Sequence, residues 1–384
     1  LASIQVRREV AVAESKPGLS PQSFEFTHHS PRFILKSPTE LVVVETRQGV
    51  GDGVEVWANR QSVHDKVVPD VHDGAQVARV RFAAQGSQES CGAHTAAENS
   101  YHPRDLRGAW VSSSVVSTSS VPGWPGSPSY AVFRLETGSV VTVEQGGDHD
   151  AERAWASVSK MAVALAMCVE VDWDLHKITE NFGPRGATLS NLLSHSSGLG
   201  LEEGDPVVPV ASKRIYSNYG IDHAVAVVVK DNDAAQWLDD RVFQGLGMVH
   251  TRLEGRPSSG VVGSTTDLAR LAVAWLRCDG IAPPTRDRFI KPFLPDLDGI
   301  VPGFGRFSPC PWGLGPEVRG DKQHWMGDWP PSSFGHFGQS GALMLLNVDE
   351  KIGVVATSTE QFGPWAVDLW PRWTSEMRTL ALGS

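Results

Sequence analysis

Cysteine is scarce in this chain of 384 residues: Cys91, Cys168, Cys278 and Cys310 stand far apart, and no CxxC occurs. That spacing excludes a zinc cluster and a dithiol redox motif, and a disulfide framework is not expected at this size. Long apolar runs are also missing. The longest candidate, Met161 to Val171, is broken by Glu170 and falls short of the ~18–20 residues of a membrane span. Basic charge is in deficit, with 34 Lys+Arg against 44 Asp+Glu and a formal net charge of −10, the opposite of the balance that binds nucleic acid. Leu1 to Leu19 carries Arg7, Arg8, Glu9, Glu14 and Lys16 where a secretory leader has its apolar core, so the default expectation is a cytoplasmic protein. No Gly-rich phosphate loop accompanies a strand–helix unit, and no cofactor is expected.

What is present is the composition of a globular protein, 41% apolar and 20% charged. At roughly 100–200 residues per domain the length predicts two domains, or one large domain with an appendage. Composition changes near residue 105. Before it, Leu41 to Glu45 and Val54 to Trp57 are Val-rich and alternating, which predicts short strands in an N-terminal segment (1–105) of unassigned fold, β-rich or poorly ordered. His28, His29, His64, His72, His94 and His102 lie here. Adjacent histidines face opposite sides of a strand, and no HxH or HxxxH spacing occurs, so surface histidines are expected and no metal site.

The second part, 106–384, begins with a Ser/Pro/Gly-rich stretch, Val111 to Pro128, that reads as a linker or long loop. Tyr130–Leu135 and Ser139–Glu144 flank Thr137-Gly138 as a hairpin, and Gly341–Asn347 with Ile352–Ser358 form another. Between them, Ala156–Val171 reads as a buried helix, followed by helices at Leu189–Leu193, Tyr219–Val229, Gln236–Phe243 and Thr266–Cys278. Pro364–Leu382 reads as a last helix interrupted at Pro371. Strands at both ends with helices between predict one sheet built from distant segments around a helical insertion.

Three short segments carry chemistry. Ser157 and Lys160 open the buried helix three residues apart, hence on one face. Free N–H groups and the macrodipole at that end favour an oxyanion and a lysine of lowered pKa, which activates a weak nucleophile. Tyr216-Ser217-Asn218 gives Y-x-N in a chain with only four tyrosines, so chance rarely supplies it. His336-Phe337-Gly338 gives H-x-G just before a terminal strand, whose edge offers N–H groups to a substrate carbonyl. Other features carry less. His195, beside a Gly helix stop, is expected to satisfy loop groups. The acidic run Glu202, Glu203, Asp205 is expected to be a solvated loop. Six tryptophans from Trp312 to Trp373 are expected mainly to pack the last helix on the sheet, with an apolar acyl pocket as the other reading.

With these motifs in that order, roughly residues 130–384 resemble the serine β-lactamase and penicillin-binding-protein superfamily. The similarity is greatest to its class C-related branch of esterases, D-peptidases and actinobacterial serine hydrolases. Leu192-Leu193-Ser194-His195-Ser196-Ser197-Gly198-Leu199 matches that branch's L-L-x-H-x-S-G-L, and Gly245-Leu246-Gly247-Met248 and Trp312-Gly313-Leu314-Gly315 extend the match. The resemblance implies an αβα sandwich (α+β) with an antiparallel sheet and a small helical lobe. It implies Ser157 as nucleophile, Lys160 and Tyr216 as the base/acid pair, and Asn218 holding Lys160 and the substrate. His336 stands where the third motif normally has lysine. The N–H groups of Ser157 and of Gln339, beyond Gly338, would form the oxyanion hole.

A phenol accepts a proton at neutral pH only with cations beside it, and Lys160 and His336 are expected to supply them. Histidine in place of lysine weakens the clasp on a carboxylate, which argues against β-lactams. The implied activity is metal-free hydrolysis of a small ester or amide through an acyl-serine. A transacylase or D-amino-acid peptidase with the same site, and a non-catalytic binding protein on the same scaffold, are the alternatives.

Overall fold

The computed structural model describes residues 121–137, 139–171, 186–230 and 233–383, together with seven strands between residues 3 and 112. The chain divides into two units, Leu1–Ser100 and Tyr101–Ser384. In the first, Ser3–Val6, Val54–Ser62, Glu40–Gln48 and Arg32–Lys36 lie side by side as an antiparallel sheet, and Phe24–Phe26 pairs with Gln76–Ala78. The two Val-rich segments read as strands fall within the two longest of these. The six N-terminal histidines and Cys91 lie outside the described residues.

The second unit is built on a seven-stranded sheet. Its strands are β1 (Trp110–Ser112), β2 (Ser129–Glu136), β3 (Ser139–Gly146), β4 (Glu317–Val318), β5 (Phe334–Phe337), β6 (Leu343–Asn347) and β7 (Ile352–Thr357). They run in the order β4-β5-β6-β7-β2-β3-β1, all antiparallel except β1, which lies parallel to β3. The expected linker at Val111–Pro128 is therefore corrected at its start. Val111 and Ser112 belong to the edge strand, because the aromatic and β-branched residues Trp110 and Val111 can extend a ladder even next to a serine run. Further on, Trp124 is buried and its indole donates to Ser358 Oγ at 3.1 Å.

β6 and β7 are buried at every position, as apolar strands covered on both faces must be. One face carries α5 (Thr265–Arg277), the other α7 (Pro364–Leu382), giving the αβα sandwich. On the α5 side the core continues through α1 (Ser159–Val171) into a helical lobe of α2 (Leu189–Leu193), α3 (Asn218–Val229) and α4 (Ala234–Leu238). α6 is Pro283–Ile290. Polar residues start these helices as expected: Thr188, Ser217 and Ser264 accept N–H bonds at the N-termini of α2, α3 and α5.

Two helix expectations change. The segment Gln236–Phe243 is α-helical only to Leu238 and continues as a π-helical turn, Asp239–Phe243. The last helix runs without interruption through Pro371. Its proline costs one backbone bond, but Thr374 and Ser375 hydroxyls bond back to the Trp370 and Pro371 carbonyls at 2.8 Å, and Trp370 and Trp373 are buried on the sheet. Trp325 and Trp329 share that core, and the Trp329 indole donates to the Thr374 carbonyl at 2.8 Å.

Candidate active site

The site forms where the start of α1, the start of α3 and the end of β5 meet. Trp155 is fully buried, its indole tied to the Gly263 carbonyl at 3.1 Å. Ala156 follows with φ 44, a left-handed conformation rare for a residue with a Cβ and found where the surroundings enforce it. A single 3₁₀ turn, Ala156–Val158, then leads into α1. The three-residue spacing sets Lys160 Nζ 3.2 Å from Ser157 Oγ.

The Y-x-N segment is held from behind. The buried Arg214 guanidinium donates to the carbonyls of Ser194, Phe293, Leu294 and Cys310. His195 accepts the Ile215 N–H at its carbonyl (2.9 Å) and the Ser217 N–H at Nδ1 (3.1 Å), the loop-satisfying role its sequence position suggests. Ser217 caps α3 through the Gly220 N–H at 2.8 Å. With Ser217 turned to the cap, its neighbours face Ser157 and Lys160. Tyr216 donates its phenolic proton to Ser157 Oγ at 2.6 Å, and Asn218 Oδ1 accepts from Lys160 at 2.8 Å.

His336 is buried at the end of β5, its ring 5.8 Å from that of Tyr216. Its Nδ1 lies 2.7 Å from the Phe337 carbonyl. A carbonyl only accepts, so Nδ1 carries the proton and Nε2 the lone pair. Nε2 has no hydrogen-bond partner among the described residues. Gly338 explains its own identity: a Cβ there would stand 2.3 Å from the Trp155 carbonyl oxygen and 3.2 Å from the Ser157 nitrogen. Only glycine lets this strand end lie against the turn that carries Ser157. Gln339 is exposed, and among the described residues neither its N–H nor that of Ser157 donates to a carbonyl.

Burial dominates the electrostatics. It brings the Lys160 ammonium down to about 7, with Asp222 and Glu202 pulling up and Arg256 pushing down. It brings His336 to about 3, helped by Lys160, and lifts the Tyr216 phenol above its ordinary value despite the Ser157 hydrogen bond. The expectation of two cations turning Tyr216 into a phenolate is corrected accordingly. His336 is neutral and Tyr216 keeps its proton, because ions lose more from burial than they recover from these partners.

Several surrounding groups are invisible in the sequence. The Ser258 carbonyl accepts from Lys160 at 2.8 Å, and Glu202, read as a solvated loop residue, accepts from Asn218 Nδ2 at 2.8 Å. Asp222 and Arg256 stand behind them. No spacing rule links these positions to the motifs. Trp312 is the one tryptophan of the WGLG segment and lies 5.0 Å from His195, 6.0 Å from Tyr216 and 5.8 Å from His336, ring to ring. Behind it Glu317 binds Lys322 and His324, at 2.7 and 2.8 Å, in a buried ion cluster.

A family model described as beta-lactamase matches residues 123–374, which include Ser157, Lys160, Tyr216 and His336. The chain belongs to the β-lactamase family. Among solved structures it resembles a β-lactamase from Mycobacterium bovis at 33% identity, over 67% of this chain and 96% of that one, with a TM-score of 0.62. Two more distant structures share the fold. Simvastatin synthase from Aspergillus terreus is 15% identical over 68% of this chain and 95% of that one (TM-score 0.53). A β-lactamase/D-alanine carboxypeptidase from Yersinia pestis is 17% identical over 67% and 92% (TM-score 0.52). A comparison with curated proteins gives no match. Among the described residues of this family member, no helix is long and apolar enough to cross a membrane.

Proposed function

We propose that the protein is a class C-related serine enzyme that takes the acyl group of a small ester or amide onto Ser157. One observation carries this reading: Ser157 Oγ is in contact with both the Lys160 amine and the Tyr216 hydroxyl. With its pKa brought to about 7, much of Lys160 is neutral at neutral pH. A neutral amine has two hydrogens, which Asn218 Oδ1 and the Ser258 carbonyl take, leaving the lone pair to the Ser157 hydroxyl. Lys160 removes that proton as Oγ bonds to the acyl carbon, whose carbonyl pair moves to oxygen between the Ser157 and Gln339 N–H groups. The bond to the leaving group then breaks, and Tyr216 passes its proton to the departing atom. The proton held by Lys160 restores the phenol. Deacylation reverses these transfers with an incoming nucleophile.

That nucleophile is water or a second acceptor. The shared fold of simvastatin synthase and of a D-alanine carboxypeptidase supports transacylation or D-peptidase chemistry at this site beside plain hydrolysis. A neutral His336 supports an uncharged substrate over a β-lactam carboxylate. Ser157→Ala is expected to lower hydrolysis of a nitrophenyl acyl ester more than about 10³-fold and to abolish labelling by a fluorophosphonate probe, read by mass spectrometry of the Ser157 peptide. Adding amine or alcohol acceptors and identifying the products separates transfer from hydrolysis. Full turnover in Ser157→Ala sinks the assignment.

A further inference from the structure

The two acceptors that hold Lys160 are themselves held, and their supports join. Asn218 Oδ1 accepts from Lys160, while its Nδ2 donates to Glu202 Oε1 at 2.8 Å. The Ser258 carbonyl accepts from Lys160, while its N–H and hydroxyl donate to Asp222 at 2.8 and 3.1 Å. One guanidinium closes the circuit. Arg256 donates to Glu202 Oε2 through Nη1 and to Asp222 Oδ2 through Nε at 2.7 Å. The six residues form a closed ring that starts and ends on Lys160 Nζ.

We infer that Glu202, Arg256 and Asp222 act as positioning residues: a carboxylate–guanidinium–carboxylate brace that fixes both hydrogen-bond acceptors of Lys160 and sets the charge around its amine. The inference rests on the acyl-Ser157 reading for its catalytic meaning. The brace fixes Asn218 in one orientation, because the amide nitrogen faces a carboxylate and the amide oxygen an amine. It turns the Ser258 carbonyl inward, because Asp222 binds the donors of the same residue. Neither acceptor can rotate away without breaking a charge-assisted bond. The brace residues reach solvent: the side chains of Arg256, Glu202 and Asp222 are 47%, 42% and 19% exposed. Their replacement therefore leaves no buried hole.

Charge gives the brace a second effect. The other ionisable groups facing Lys160 are Tyr216, kept phenolic by burial, and His195 and His336, kept neutral by burial. Glu317 is paired with the Lys322 ammonium, and the buried His324, whose pKa burial lowers, adds a hydrogen bond. The unbalanced contributions come from Glu202 and Asp222, which favour the ammonium, and Arg256, which opposes it. Removing one carboxylate or the guanidinium should move the Lys160 titration in opposite directions.

The test follows the Lys160 side-chain carbon by NMR of the full chain with labelled lysine, the resonance assigned from Lys160→Arg. Glu202→Gln should lower its titration midpoint by about half a pH unit and Arg256→Met should raise it by a similar amount. The midpoint of the pH profile of fluorophosphonate labelling at Ser157 should move with it. Arg256→Met should also cut the plateau labelling rate ~10-fold through loosened acceptors. Arg256→Lys, which keeps the charge without the fork, should restore the midpoint but not the plateau. Midpoints in Glu202→Gln and Arg256→Met that stay within experimental error of the parent chain overturn the inference. Absence of labelling in the parent chain would instead overturn the acyl-Ser157 reading, and the NMR titration would still decide on the brace.

Discussion

At the scale of single residues, the site is governed by what burial does to charge. In the proposed acylation Lys160 must be neutral to receive the Ser157 proton, so the fraction of competent protein is expected to rise with pH up to the lysine's midpoint. With that midpoint at about 7, acylation by a nitrophenyl ester is expected to climb ~10-fold per unit below it and level off above. Burst kinetics from about pH 5 to about pH 9 check this. His336, already neutral through that range at about 3, should add no inflection of its own. Its bare Nε2 lone pair favours a hydrogen-bond donor on the substrate and repels a carboxylate. Two esters matched except for a neutral or a carboxylate tail should therefore differ in kcat/KM by about 10-fold or more, the neutral one faster. Equal rates would count against His336 facing the tail.

Elements decide how these residues meet. Ser157 lies in the 3₁₀ turn that runs directly into α1 and Lys160 in the first turn of α1, so their contact follows from the three-residue spacing, and it was legible in the sequence. Tyr216 and Asn218 flank a cap residue, and in this chain the middle serine turns to the helix cap while its two neighbours turn to the site. The backbone approach at Gly338 explains the glycine of the third motif. Gly338→Ala is expected to lower acylation more than about 100-fold and to reduce thermal stability, since its methyl would meet the Trp155 carbonyl at 2.3 Å; stopped-flow burst rates and a melting curve measure both. What could not be read was the support. Glu202, Asp222, Arg256 and Ser258 come from two loops and helix α3 with no common period, and an acidic loop looks the same whether it braces an asparagine or only faces water. The protonation of Tyr216 was misread for a related reason, because neighbouring cations are visible in a motif and burial is not. Pro371 shows the reverse, a local signal overruled by packing.

On the scale of the whole molecule, the sheet is assembled from the beginning and end of the second unit, and the lobe between them delivers the first two motifs to its edge. Hairpin patterns and helix periodicity were enough to predict this plan, because each element carries its own turn or cap signal. Strand β1 was missed, since three residues in a serine-rich stretch show no alternation. All the candidate site residues belong to Tyr101–Ser384. A chain beginning at Tyr101 is therefore expected to keep fluorophosphonate labelling of Ser157 within about 3-fold of the full chain. Loss of labelling with a folded circular dichroism spectrum would show that the first unit contributes to the site.

A methyl group on residue 338 would come within 3.1 Å of the Ala156 side chain, so two positions 182 apart in sequence (338 − 156) share one tight seam. Neither has bulk to give up: one is already glycine, and the other is alanine in a left-handed conformation that excludes branched side chains. Mutational drift across this pair should then be narrow, permitting alanine or glycine at 156 and only glycine at 338. A change of acyl group would have to come from side chains away from this seam.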